Sequence, residues 1–436
     1  MQSGQVTRGQ PWLILALCLL AGTGYWYWTL RIYAPANTAR LVAGGRPIGN
    51  NSDLYARWLG ARELLLHGRD PYSGDVTREI QTGFYGRPLN PDRAADPIEK
   101  ESFVYPLYVV FVLAPTTTWS FPVVMEVFRW ILLACIALSI PLWGSAMGLR
   151  AGLPIILASA VLALSSPPAV MEYFQQNLTA LVVLFVAAAA AAIYKKWLML
   201  GGFLLGLATM KPDGTCLMIL WFVFWAASSW KDRQRLLWSF NGTLSALIVG
   251  AELLSPGWLK RFLSAVKEYP AYGTDPSILQ VLLPPLAAKL AAVGLILLLL
   301  AICWRQRKAG AGSDGFGWAL AWVGTATFVL LPKLAAYNQV LLIPALLFLI
   351  GNFQHISPVR RLPRAMTKAA FACLMWQWAA ATVLAVCSVF LPLTRLRSAA
   401  AIPDYTLLAL GPLTLLALVA GLPALWISEP ARLFNL

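Results

Sequence analysis

The sequence predicts an all-α integral membrane protein crossed by many helices, and three observations carry that expectation. Of 436 residues, 59% are hydrophobic and 12% are charged, whereas a soluble domain carries about 25% charge. Apolar runs close to membrane-crossing length recur along almost the whole chain, and a bilayer core takes about 20 residues of helix per crossing. Short basic clusters punctuate those runs, as the bias of positive charge toward cytoplasmic loops requires. Helix is the expected element because backbone polar groups in hydrocarbon must find partners inside their own segment.

The formal charge of +15 does not point to nucleic acid. Residues 34–102 hold nine basic and nine acidic side chains, so the whole excess lies elsewhere, in turns between apolar runs. A dense basic surface interleaved with aromatics is missing from the sequence, and nucleic-acid binding is not expected. The six cysteines all fall in apolar runs and read as small buried side chains. Two histidines far apart in sequence, His67 and His355, give no support to a zinc site.

The first span is expected from Pro11 to about Tyr33, retained rather than cleaved, because it is long and carries Tyr25, Trp26 and Trp28 at its far end. A long polar loop, 34–102, follows. Within it an amphipathic helix is expected over about 53–67, capped by Ser52 or Asp53, lying along the membrane surface and stopped by Gly68. Residues 69–100, rich in Pro, Gly and Asp, are expected to be loop. The further apolar runs fall at 104–119, 123–148, 152–169, 178–194, 197–210, 214–230, 236–254, 281–303, 316–332, 336–351, 369–391 and 404–427. Several are short, so breaks are expected at Pro106, Pro167-Pro168, Lys211-Pro212 and Pro332-Lys333. A second loop, 256–280, carries Trp258, Lys260, Arg261, Phe262, Val266, Lys267 and Tyr269 and is expected to form a short interfacial helix able to meet anionic lipid head groups.

If Arg150, Lys195-Lys196, Lys231/Arg233/Arg235, Arg305/Arg307/Lys308 and Arg360/Arg361/Arg364/Lys368 are all cytoplasmic, then 34–102, 170–177, 256–280 and 332–338 face outward. That alternation gives about 12 crossings (roughly 11–13) in one polytopic domain, 1–436, provided that 104–119 does not fully cross. No internal repeat of the kind common in transporters is visible.

Asp53 is the leading candidate for chemistry. It opens the expected surface helix, where a carboxylate can take a proton from a hydroxyl group; simple helix capping is the alternative. Arg57, one turn later, can pair with it or reach a phosphate. Glu172, Gln176 and Asn177 form a polar cluster between two apolar runs, suited to sugar hydroxyls. Lys211 interrupts an apolar stretch, and a charge at such depth implies a partner or a function. It can meet a lipid phosphate, pair with Asp213 or extend out of the membrane. Lys333 is a similar candidate, with Asn338 on the same side. Tyr55, Tyr72 and Tyr105 complete the set of candidate substrate contacts.

These pieces resemble a known family. Asp53-Leu54-Tyr55, Gly68-Arg69-Asp70-Pro71-Tyr72, Phe103-Val104-Tyr105-Pro106, Ala114-Pro115, Gln176-Asn177 and Gly201 to Ala208 leading into Lys211-Pro212 are similar, in order and spacing, to the GT-C-type membrane glycosyltransferases. The likeness is to glycosyltransferase family 87, relatives of bacterial polyprenyl-phosphate-mannose-dependent mannosyltransferases. It covers about 53–212. Leu107 after Pro106 and Gln175 before the Gln-Asn pair depart from the family pattern. The resemblance implies a GT-C-type fold in the bacterial inner membrane with an extracytoplasmic first loop, and Asp53 as the base. It also implies inverting transfer of mannose or another sugar from a polyprenyl-phosphate donor to a glycolipid or glycan acceptor. No cofactor is implied, since the donor is a substrate, and no metal is implied. The rival readings are a transporter of lipid-linked sugars and a non-catalytic envelope-assembly protein.

Overall fold

The computed structural model describes residues 10–421 apart from 46–47, 91, 95, 98–99, 150–151, 270–275, 332–335, 353–363 and 407–409, and the side chains of 364–367. The described residues are overwhelmingly helical. Among the described residues, six helices are long and apolar enough to cross a membrane: Gln10–Ala43, Phe121–Ala146, Trp230–Leu254, Pro285–Gln306, Lys368–Phe390 and Leu393–Ala420. A seventh candidate is a pair, Leu153–Leu164 and Pro167–Gln175, bent by 57°. Large apolar side chains stand exposed along these helices, Leu253 at 81% and Phe390 at 80%. Exposed apolar surface on that scale needs lipid or protein to cover it, and the chain is a multi-pass membrane protein.

In chain order, α1 (Gln10–Trp28) runs through a π-helical turn (Thr29–Tyr33) into α2 (Ala34–Ala43). The first helix is therefore longer than expected, and residues 34–43 belong to it rather than to the loop. The cause is local: one wide turn lets the helix pass Pro35, whose ring cannot donate a backbone bond. Next come α3 (Asp53–His67) and α4 (Gly74–Tyr85). The bounds of α3 match the expected helix, with Gly68 in the left-handed conformation at φ 66°. α3 is buried along most of its length and exposes chiefly Leu65, Leu66 and His67. Other segments of the chain cover it on most sides. The amphipathic element is α4, within 69–100 where loop was expected. Ser73 caps it, and Val76, Ile80 and Phe84, one turn apart, form its buried stripe.

A short apolar helical stretch, Leu107–Thr116, contains α5 (Val110–Leu113). It leads to α6 (Phe121–Ala146), α7 (Leu153–Leu164), α8 (Pro167–Gln175), α9 (Thr179–Tyr194), α10 (Leu198–Ala208), α11 (Cys216–Ala227), α12 (Trp230–Leu254) and α13 (Trp258–Glu268). After these come α14 (Ile278–Leu282), α15 (Pro285–Gln306), α16 (Asp314–Leu330), a 3-10 segment at Ala336–Leu342, α17 (Ile343–Gly351), α18 (Arg364–Phe390), α19 (Leu393–Leu396) and α20 (Leu410–Ala420). Chain breaks fall where expected at Ser165-Ser166, before Pro167-Pro168, and between α10 and α11 around Lys211-Pro212. The break expected at Pro332-Lys333 lies outside the described residues, as do Arg150, Arg360 and Arg361.

Hydrogen bonds gather the connections into two groups. In one, Trp225 Nε1 donates to Ala309 O at 2.9 Å, and Arg233 Nη1 and Ser228 Oγ both donate to Arg307 O, at 3.0 and 2.6 Å. Gly312 (φ 79°) belongs there too: a Cβ on it would lie 2.3 Å from the ring of Tyr194, next to Lys195-Lys196. Three of the basic clusters thus lie together. In the other group, Asn177 meets Asp53, Thr179 meets Asn338, Tyr108 meets Thr209, and Arg261 of α13 pairs with Asp70 at 3.2 Å. The stretch after Tyr105 begins and ends in this second group: Trp58 and Arg62 of α3 donate to the carbonyls of Thr116 and Thr117, both at 3.1 Å.

Candidate active site

The second group of connections encloses a buried polar cluster. Asp53 stands in the first turn of α3 and is 7% exposed. The helix N-terminus favours its negative charge. Asn177 Nδ2 donates to Asp53 Oδ2 at 2.7 Å. The other end of that amide, Oδ1, accepts from the backbone N–H of Thr179 at 3.2 Å. Asn177 therefore caps α9 while fixing Asp53, two residues 124 positions apart. Thr179 Oγ1 lies 2.9 Å from Asn177 Oδ1 and 2.8 Å from the Asn338 amide. No hydrogen bond to Asp53 Oδ1 is seen among the described residues.

Ser52, just before Asp53, donates from Oγ to Gln176 Oε1 at 2.7 Å. Gln176 is buried in a left-handed conformation at φ 48° and bonds through Nε2 to the carbonyl of Tyr173. A glutamine in that region is unusual, and its bonds to Ser52 and Tyr173 lie within the turn that presents Asn177. Glu172 is 0% exposed. Its Oε1 accepts from Ala180 N–H at 3.1 Å, while Oε2, also buried, has no partner among the described residues.

Two cations flank Tyr105. Arg57 lies with Cζ 4.2 Å from the ring centroid, and Lys211 with Nζ 5.9 Å from it. Cations over aromatic faces are held by the ring quadrupole. Arg57 Nη1 also donates to the Asp53 carbonyl, whereas Arg57 Nε is buried and unpartnered among the described residues. Burial opposes the Arg57 charge, but Tyr105, Asp53, Glu101 and Tyr337 together raise its pKa above the ordinary arginine value. The guanidinium is fixed as a cation with a donor to spare. Lys211, 2% exposed, donates from Nζ to Asp213 Oδ2 at 2.6 Å and lies 5.5 Å from the Tyr337 ring centroid. Of the alternatives open to Lys211 in the sequence, pairing with Asp213 is the observed state.

Tyr72 donates from its hydroxyl to Tyr105 O at 2.6 Å and packs edge-on against Phe103. Burial, then the nearby Asp70 charge, raises its pKa, so the hydroxyl keeps its proton as a donor. Tyr72 positions Tyr105 rather than lining the cluster. Removing the hydroxyl in Tyr72→Phe is expected to cost about 1 kcal/mol of stability and to loosen Tyr105 under Arg57. Thermal unfolding in detergent would register the first effect, and faster hydrogen exchange around Tyr105 the second.

Tyr55 is not brought to the cluster. Its ring packs edge-on on Phe121 at 4.7 Å, against Trp58, and over Gly83 of α4, where a Cβ would lie 2.1 Å from the ring. Two residues along a helix turn the side chain by about 200°, which carries Tyr55 away from Asp53. Lys333 lies outside the described residues. Glu101, Asp213 and Tyr337 join the cluster without having been singled out as site residues; the charges of Asp53 and Asp213 both act on Tyr337. Tyr337 sits beside Asn338, and that adjacency was the one signal available for it. Among the described residues no group of three or more His, Cys, Asp or Glu side chains is arranged to hold a metal.

No protein-family model matches the chain, and no curated protein is significantly similar to it.

Proposed function

We propose that this chain is an inverting glycosyltransferase. It moves a sugar from a polyprenyl-phosphate donor to a hydroxyl group of a glycolipid or glycan, at the extracytoplasmic face of a bacterial inner membrane. The observation that carries the reading is Asp53: a buried carboxylate with one oxygen fixed by Asn177 and the other unbonded, in one cluster with two cations. In the reaction the acceptor oxygen attacks the anomeric carbon as Asp53 Oδ1 takes its proton. The new C–O bond forms as the bond from that carbon to the phosphate oxygen breaks, and its electron pair leaves with the phosphate. The phosphate thereby goes from one negative charge to two. Arg57, with its unmet Nε donor, and Lys211 are suited to stabilise that added charge. Glu172 Oε2 and Asn338 are suited to sugar hydroxyls. A single displacement inverts the anomeric configuration.

The membrane arrangement that goes with this chemistry has about 12 crossings, counting α9, α10, α11, α16 and α17 as passes beside the six long helices and the bent pair, and the stretch 104–119 as one that enters and returns. The grouping of the connections supports it, because the basic turns lie together and the Asp53 cluster lies in the other group. On the positive-inside rule the basic turns are cytoplasmic, and the cluster opens outward. Within that arrangement 34–102 and 256–280 are the two outer loops.

The test is to incubate the purified protein with a panel of polyprenyl-phosphate sugars and an envelope glycolipid fraction. Product analysis by mass is expected to find an acceptor heavier by one sugar residue and free polyprenyl phosphate. A transporter would relocate the donor across a vesicle bilayer with no new mass, and that outcome rejects the proposal.

A further inference from the structure

The Lys211–Asp213 pair has a feature that donor binding must confront. Lys211 is almost fully enclosed, while the Asp213 side chain is 21% exposed. The two are separated by Pro212 alone and lie in the link between α10 and α11, where Gly214 follows with φ 76°. Around the two cations, Arg57 and Lys211, stand four acidic side chains: Asp53, Glu101, Glu172 and Asp213. Among the described residues, an anionic phosphate entering such a cluster meets more acidic side chains than cations. Three of the four carboxylates are deeply buried, and Asp213 alone has solvent to move into. Its Oδ2, 2.6 Å from Lys211 Nζ, takes up one of the three donors that the ammonium has to offer a phosphate oxygen.

We propose that Asp213 is an internal competitor for the donor phosphate: it holds Lys211 in the unloaded protein and is displaced toward solvent when a phosphate oxygen takes its place. The proposal rests on the glycosyltransferase reading and specifies how its phosphate subsite is kept charged without a bound anion. A buried ammonium without a counter-charge is costly, and the pair removes that cost until donor arrives. The site therefore exchanges one ion pair for another on binding. Lipids that lack a phosphate have nothing to displace Asp213 with, so the device selects for the anionic head group and not for the tail.

The experiment measures binding of undecaprenyl phosphate, and of uncharged undecaprenol as control, to the full chain in nanodiscs. Asp213→Asn, with Asp213→Ser as a second variant of different size, is expected to bind undecaprenyl phosphate about three- to tenfold more tightly than wild type, with undecaprenol unchanged. In the Lys211→Met background the same substitutions are expected to change nothing. Binding by folded Asp213 variants that is weaker than or equal to wild type overturns the proposal, since Asp213 would then be positioning Lys211 productively. A gain that persists without Lys211 overturns it as well, because the effect would be general repulsion. If wild type itself binds undecaprenyl phosphate no better than undecaprenol, the glycosyltransferase reading fails instead.

Discussion

Replacing Asp53 with asparagine is expected to lower the turnover of the purified protein by about 10²–10⁴-fold, the range that a positioned general base contributes, while the protein still folds. The two halves of that expectation have separate causes. Asparagine keeps an oxygen that can accept from Asn177 Nδ2, so the cap on α9 and the link between α3 and α9 survive. What is lost to folding is the carboxylate charge at the first turn of α3, about 0.3–1 kcal/mol. What is lost to chemistry is the group that receives the acceptor proton. Donor binding should change little, because Arg57 reaches Asp53 through its backbone carbonyl, which the substitution leaves in place. A D53N protein with wild-type kcat would show that Asp53 only starts a helix.

The second large effect is expected at Lys211. Lys211→Met keeps the length and apolar stem of the side chain and removes the ammonium. Loss of a charged hydrogen bond to the phosphate is expected to lower kcat/KM for the donor by roughly 10- to 100-fold, through both a raised donor KM and a lowered kcat, with the KM for acceptor unchanged. The protein should tolerate the change, because Asp213 is partly exposed and can be hydrated once its partner is gone. Equal loss toward donor and acceptor would mean that Lys211 holds the α10–α11 link in shape rather than meeting the phosphate.

How much of this was legible in the sequence depends on how local each feature is. The α3 helix could be read to its ends because its signals are adjacent residues: Ser52-Asp53 at the start and Gly68, in a left-handed turn, at the finish. Its burial could not be read, since the partners that cover it, Thr116, Phe121 and Gln176, come from distant segments. The α4 helix was hidden by Gly74, Thr77, Thr82 and Gly83, all poor helix formers, although Val76, Ile80 and Phe84 already held the buried stripe. The six longest helices follow from their apolar length. Segments such as α10 and α11 are too short for length alone to decide whether they cross.

Site residues divide in the same way. Glu172, Gln176, Asn177 and Lys211 are visible because each is a polar side chain beside or within an apolar run, where its presence needs a reason, and Asp53 and Arg57 because they stand one turn apart at the start of a helix within the polar loop. Asn338 is visible for its place after an apolar run, and nothing in the sequence beyond that neighbour singles out Tyr337. Tyr55 belongs to the Asp53-Leu54-Tyr55 piece of the family resemblance, and helical geometry turns it the other way. Pairing of Lys211 with Asp213 was one of three open options, which only side-chain geometry could separate.

The most direct measurement is a single-turnover reaction of excess purified protein with the sugar donor found in the mass screen and its acceptor, with product stereochemistry read by NMR. One displacement with Asp53 as base predicts one free polyprenyl phosphate per new glycosidic bond, with the anomeric configuration opposite to that of the donor. A product that retains the donor configuration would contradict it, and so would a donor that remains intact beside every acceptor supplied.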